Sequence, residues 1–131
     1  MPKILLVDDE VFILRMHGLI LKTKGYTIST AENGIEALEM ISNEKFDLVI
    51  SDLYMPEMDG LTLLKTIRTR PQYNSLPFIL LTSCTDFYDA PVIDNMAGFD
   101  EIMAKPVSSR ELIETVNRLV AKPALCEMTG K

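Results

Sequence analysis

Two short apolar runs in this chain end in carboxylates: Ile4 to Val7 leads directly into Asp8-Asp9, and Leu48 to Ile50 leads through Ser51 to Asp52. An aspartate after a strand is ordinarily a turn residue, and what changes that reading is the company these three keep. Phe78 to Leu81, another apolar run, delivers Thr82-Ser83, and Glu101 to Ala104 delivers Lys105 just before Pro106. If the runs are neighbouring parallel strands, Asp8, Asp9, Asp52, Thr82 and Lys105 meet at one rim. Carboxylates drawn together repel one another and hold their protons more tightly unless a cation neutralises them. The donors are hard oxygens with no histidine or cysteine in the motif, which selects Mg²⁺, or Mn²⁺ in its place, over zinc. With few protein ligands, several waters stay on such an ion.

The elements that would position these residues follow from periodicity. Leu48, Val49 and Ile50 read as a strand buried on both faces, as in the centre of a parallel sheet. After Asp8-Asp9-Glu10 a helical pattern carries Val11, Ile13 and Leu14 toward Leu19, Ile20 and Leu21, and Gly25 ends it. Tyr26 to Thr30 is a more exposed strand, and Asn33 with Glu36 opens a helix to about Ser42. Met55-Pro56-Glu57-Met58-Asp59-Gly60 reads as a loop. A helix bearing Leu61, Leu64 and Ile67 follows and stops near Arg70-Pro71. Asp89 and Pro91 predict a short helix to about Ala97, after an irregular loop from Thr82. Ser108 and Glu111 form a capping box for a last helix with Leu112, Val116, Leu119 and Val120 on its apolar face. Residues 1–121 form one domain in this reading, and 122–131 a tail or the start of a linker. Strand and helix alternate five times, the pattern of a doubly wound α/β domain with a five-stranded parallel sheet and five helices. Such folds bind ligands at the carboxyl ends of their strands.

At 131 residues and 47% hydrophobic content the chain can bury the core of one ordinary domain. A formal net charge of −6 argues against direct nucleic-acid binding. No run reaches the roughly 18 apolar residues of a membrane span, and Met1-Pro2-Lys3-Ile4 shows no cleavable signal pattern, so a cytoplasmic location is expected. Cys84 and Cys126 lack metal-ligand spacing and read as free thiols. His17 reads as a surface or core-edge histidine on the first helix, away from the acidic rim.

Asp8-Asp9, Asp52 with Met55-Pro56 and Asp59-Gly60 after it, Thr82-Ser83, and Lys105-Pro106 together resemble the receiver domain of two-component response regulators, over about Lys3 to Val120. The resemblance implies a flavodoxin-like sheet in the order 2-1-3-4-5. It implies Asp52 as phosphoacceptor, attacking a phosphohistidine of a histidine kinase or histidine phosphotransfer protein. Asp9 would bind the metal directly, Asp8 largely through water, and Asp52 and the Tyr54 backbone carbonyl would complete the protein's share. Lys105 and the Thr82 hydroxyl would meet the phosphoryl oxygens. The output would be an attached domain or a separate partner, with a phosphorylation-dependent dimer as a further expectation, and the domain would catalyse only its own phosphorylation and dephosphorylation. A cis bond before Pro106 is also implied.

The chain departs from the family pattern in two places, one being the helix after Thr85 to Asp89, which Pro91 makes shorter than the family's usual one. Receivers commonly carry an aromatic residue three before the lysine, and Ile102 lacks the ring and hydroxyl through which it moves with the threonine. Tyr54, two residues after Asp52, is bulky enough to obstruct a hydrolytic water. Two other functions fit parts of the motif. A Mg²⁺-dependent aspartyl-phosphate phosphohydrolase would usually carry Asp-x-Asp on its first strand, where this chain has adjacent Asp8-Asp9. A receiver-like adaptor that is never phosphorylated would have no use for the full set of five residues.

Overall fold

The computed structural model describes residues 2–53, 58–73, 75–83, 99–105 and 107–129. Strands β1 (Lys3–Val7), β2 (Thr27–Ala31), β3 (Leu48–Asp52), β4 (Phe78–Ser83) and β5 (Glu101–Lys105) alternate with helices α1 (Val11–Lys22), α2 (Gly34–Asn43), α3 (Gly60–Arg68) and α4 (Ser109–Thr129). All pairings are parallel, and the sheet order is β2-β1-β3-β4-β5. This is the order the resemblance implied, with β3 at the centre and buried along its whole length.

Alternation along the strands builds two cores, because successive side chains of a strand point to opposite faces. Leu5, Val7, Val49, Phe78 and Leu80 face α2 and α3, packing with Ala37, Ile41, Leu63, Leu64 and Ile67. Ile4, Leu6, Leu48, Ile50, Ile79, Leu81 and Met103 face α1 and α4, packing with Leu14, Leu21, Leu112, Val116 and Leu119. A strand that must satisfy both cores can hold no polar residue until its end, so chemistry is confined to the rims.

Local signals set the helix ends. Asn33 accepts the Glu36 N–H at 2.7 Å and Asp59 accepts the Thr62 N–H at 2.8 Å, satisfying first-turn donors of α2 and α3. Ser108 accepts the Glu111 N–H at 3.1 Å, the capping box read from the sequence. Gly25 takes φ 92° after α1, where a side chain would be strained. Pro71 opens a 3₁₀ turn, Pro71–Tyr73, after α3.

α4 extends to Thr129, into the stretch 122–131 read from the sequence as a tail or the start of a linker. The expected helix over 89–97, Tyr54, Cys84 and the Lys105-Pro106 bond lie outside the described residues. At the amino ends of β3 and β4, a cleft of about 660 Å³ opens among Lys45, Asp47, Gln72 and Pro77.

Candidate functional site

β1, β3, β4 and β5 end at the same rim because they are parallel and nearly in register: Ile50 pairs with Leu6 and Ile79, and Leu81 pairs with Asp52 and Met103. The chain therefore leaves Asp8, Asp9, Asp52, Thr82 and Lys105 at adjacent strand ends. One carboxylate oxygen from each of Asp8, Asp9 and Asp52 lies within 4.8 Å of the others. Lys105 Nζ stands 3.0 Å from Asp8 Oδ2 and 3.2 Å from Asp52 Oδ1. Asp8 and Thr82 are almost fully buried, Asp52 is 9% exposed, and Asp9 is open to solvent. Three hard oxygens around an open corner match the donor set of a six-coordinate ion that keeps several waters.

Each carboxylate is held by local geometry. Asp8 Oδ1 accepts the Glu10 N–H at 3.0 Å, fixing the acidic turn before α1, and its other oxygen receives Lys105. The Asp8 N–H donates to Ala31 O at 3.1 Å, which extends the β1 to β2 ladder by one rung and fixes where the acidic turn begins. The Leu53 N–H donates to Leu81 O at 2.8 Å, so the backbone stays in the sheet on both sides of Asp52.

The charges are not balanced by one lysine. Burial pushes the Asp52 carboxyl up to about 6; Lys105 pulls it down, and Asp8 and then Asp9 push it up again. Lys105 moves the other way. Its burial disfavours the ammonium, but the bond to Asp8 and the Asp52 charge outweigh this and leave the lysine above its ordinary value.

Three features were not read from the sequence. Ser51 is fully buried and its hydroxyl donates to Asp52 O at 2.9 Å. Gly60, read as a turn residue, lies against that same carbonyl, where a Cβ would fall inside the oxygen's van der Waals envelope, while its N–H donates to Leu53 O at 2.8 Å. His17 is a correction: it is 4% exposed and is not remote from the rim. It lines a cavity of about 210 Å³ together with Ile13, Met16, Lys105 and Val107. Burial lowers its pKa, Asp8 raises it and Lys105 lowers it. The apolar periodicity of α1 placed His17 on the helix, but only the packing of α1 against β1 and α4 brings it into one cavity with Lys105.

Residues 4–117 match the model of the response regulator receiver domain family. The chain is 34% identical over 124 residues to the transcriptional regulatory protein CpxR homolog of Haemophilus influenzae, an alignment covering 95% of this chain and 52% of that protein. It is 38% identical over 122 residues to the transcriptional regulatory protein GlrR of Escherichia coli, covering 92% of this chain and 27% of that protein. It thus spans about half the length of the first of these relatives (52%) and about a quarter of the second (27%). Among solved structures, the signal receiver domain of a signal transduction histidine kinase from Syntrophus aciditrophicus superposes with a TM-score of 0.87 at 34% identity, over 93% of this chain and 92% of that one. The response regulator TrrA of Thermotoga maritima, solved in complex with Mg²⁺ and BeF, superposes with a TM-score of 0.80 at 36% identity, over 91% of this chain and 99% of that one. Fold, sequence match and the ordering of the rim agree, and the chain belongs to the response regulator receiver domains, phosphoacceptor signalling modules of two-component systems.

Proposed function

We propose that Asp52 is the phosphoacceptor of this receiver domain, taking its phosphoryl group from the phosphohistidine of a histidine kinase or histidine phosphotransfer protein. The observation that carries the assignment is the placement of Asp52: a carboxylate at the end of the central strand, within 4.8 Å of Asp8 and Asp9 oxygens and 3.2 Å from an ammonium. An Asp52 carboxylate oxygen attacks phosphorus, the bond from phosphorus to the histidine nitrogen breaks, and the imidazole leaves with that electron pair. Asp8, Asp9, Asp52 and the Tyr54 backbone carbonyl are the groups that would hold Mg²⁺, or Mn²⁺ in its place. Bound there, the ion supplies neutralisation of charge on the transferring phosphoryl oxygens.

The remaining work falls to this chain's own groups. Lys105 already bonds the acceptor, and it passes to a phosphoryl oxygen as the carboxylate gives up its charge to the new bond. Thr82, buried at the end of β4 on the rung next to Asp52, offers its hydroxyl to a second phosphoryl oxygen. The domain acts catalytically only on itself, in phosphorylation and dephosphorylation, and the phosphorylated form switches an attached output domain or a separate partner. Relatives described as transcriptional regulators support an output of that kind. Among the described residues no helix is long and apolar enough to cross a membrane, and the net charge of −6 gives this chain itself no footing on nucleic acid.

The test is intact-protein mass spectrometry after incubation with a small phosphodonor and Mg²⁺. One added phosphate on the wild-type protein, absent from Asp52→Ala and absent in chelator, is the expected result. No adduct under any of these conditions overturns the assignment, and rapid multiple turnover of phosphoesters would favour a phosphohydrolase instead.

A further inference from the structure

Just beyond Asp52, Leu53 O accepts the Gly60 N–H at 2.8 Å. The Gly34 N–H, at the start of α2, donates to Met58 O at 3.2 Å. A Cβ built on Gly34 would lie 2.6 Å from that oxygen, 2.7 Å from Met58 Cγ and 2.8 Å from Met58 Cβ. The start of α2 has little room to yield, because Asn33 holds the Glu36 N–H at 2.7 Å and Ala37 and Ile41 are buried in the core. The other side has no slack either. Met58 is followed by Asp59, which caps α3 through the Thr62 N–H, and then by Gly60, pressed on the Asp52 carbonyl.

We propose that Gly34 is a positioning residue for the acceptor: its bare Cα seats the Met58 carbonyl and so sets, through Asp59 and Gly60, where the Asp52 backbone stands relative to Asp8 and Asp9. The proposal rests on Asp52, Asp8 and Asp9 acting as proposed above. A side chain at Gly34 has to push Met58 away by at least about 0.4 Å, the difference between 2.6 Å and the 3.0 Å that real Cβ contacts respect. Between Met58 and the Asp52 carbonyl stand only Asp59, fixed as the α3 cap, and Gly60, pressed on that carbonyl, so this is the route by which a displacement at Met58 bears on Asp52. A small, rigid hexacoordinate ion demands near-ideal ligand geometry, and misplacement of reacting groups on the scale of an ångström costs orders of magnitude in rate. α2 thereby becomes part of the site without contributing a ligand.

Gly34→Ala is expected to weaken Mg²⁺ binding about tenfold and to slow phosphorylation by a small phosphodonor by a similar factor, at a temperature where circular dichroism shows the variant folded. Gly18→Ala is the control. The Cβ at Gly18 would meet Ile28 at 3.5 Å and Leu6 at 3.8 Å, ordinary contact distances, so Mg²⁺ affinity there is expected to match wild type. Adding Met58→Gly to Gly34→Ala removes two of the three clashing atoms and is expected to recover part of the lost affinity. If Gly34→Ala does not fold, Asn33→Ala loosens the same helix start without a clash, and a twofold to threefold loss of Mg²⁺ affinity is expected. A folded Gly34→Ala with wild-type Mg²⁺ affinity, or an Asn33→Ala with none of this loss, overturns the proposal whatever happens to stability. Because wild type is titrated alongside, a failure of the Asp52 assignment, in which wild type takes no phosphate, is distinguished from a failure of the Gly34 role, in which the variant behaves as wild type.

Discussion

Asp52 is held in surroundings that favour its proton, and that makes the proposed acceptor a source of instability in the metal-free protein. Its pKa is raised to about 6 from 3.8 in the unfolded chain, first by burial and then by Asp8 and Asp9 against the opposing pull of Lys105. The folded state therefore binds the proton more tightly than the unfolded one, and ionising Asp52 opposes folding. Below pH about 4 the group is neutral in both states and nothing is lost; above about 6 the full penalty applies, about 2–3 kcal/mol for a shift of this size. Asp52→Asn in chelator is accordingly expected to be more stable than wild type by up to about 2–3 kcal/mol at pH 7.5. The advantage should shrink through pH 6 and vanish near pH 4, as followed by urea unfolding. An advantage that is flat with pH would refute the electrostatic origin. At this scale much was legible in the sequence. Asp8, Asp9, Asp52, Thr82 and Lys105 each end an apolar run, and parallel strands leave such residues no other place to go. His17 was not legible, because its burial beside Lys105 depends on how α1 is rotated against the sheet, which helical periodicity leaves open.

At the scale of elements, the capping aspartate of α3 links helix stability to the site. Asp59 satisfies the Thr62 N–H at 2.8 Å, and the next residue, Gly60, sits on the Asp52 carbonyl. Asp59→Ala is expected to cost about 1 kcal/mol of stability by thermal or chemical unfolding. Phosphorylation by a small donor should slow with it, since a frayed first turn loosens the floor beneath the acceptor. A stability loss with an unchanged phosphorylation rate would separate the cap from the chemistry. The sequence showed the caps at Asn33 with Glu36 and at Ser108 with Glu111, whereas Asp59-Gly60 read only as the end of a loop. The contact of Gly34 with Met58 was not legible, because it joins two turns separated by a whole strand and helix, and no local pattern encodes it. The stretch 122–131 was read as a tail or the start of a linker because the stripe that marks Leu112, Val116 and Leu119 fades there in the sequence.

For the whole molecule, the proposed metal site links folding to a divalent ion. An ion that binds only the native state stabilises by mass action, about 2.7 kcal/mol at a hundredfold excess over its dissociation constant. For a domain of 131 residues this corresponds to a rise in Tm on the order of 10 °C. Mg²⁺ titrated at pH 7.5 should produce that rise in scanning calorimetry, and the rise should weaken as pH falls below about 6, where Asp52 holds its proton against the metal. A Tm that ignores Mg²⁺ at pH 7.5 would count against the site as a metal centre.

The parallel sheet also gives the domain a working end and an idle end. Four of the five strands, all but β2, deliver their carboxyl ends to the chemistry, so the opposite rim, where Lys45 and Gln72 border the 660 Å³ cleft, carries none of the five rim residues. That rim is the natural handle. A dye, a spin label or a surface tether introduced at Gln72→Cys would leave the acceptor facing open solution, free to meet a donor protein, while the molecule is held from behind.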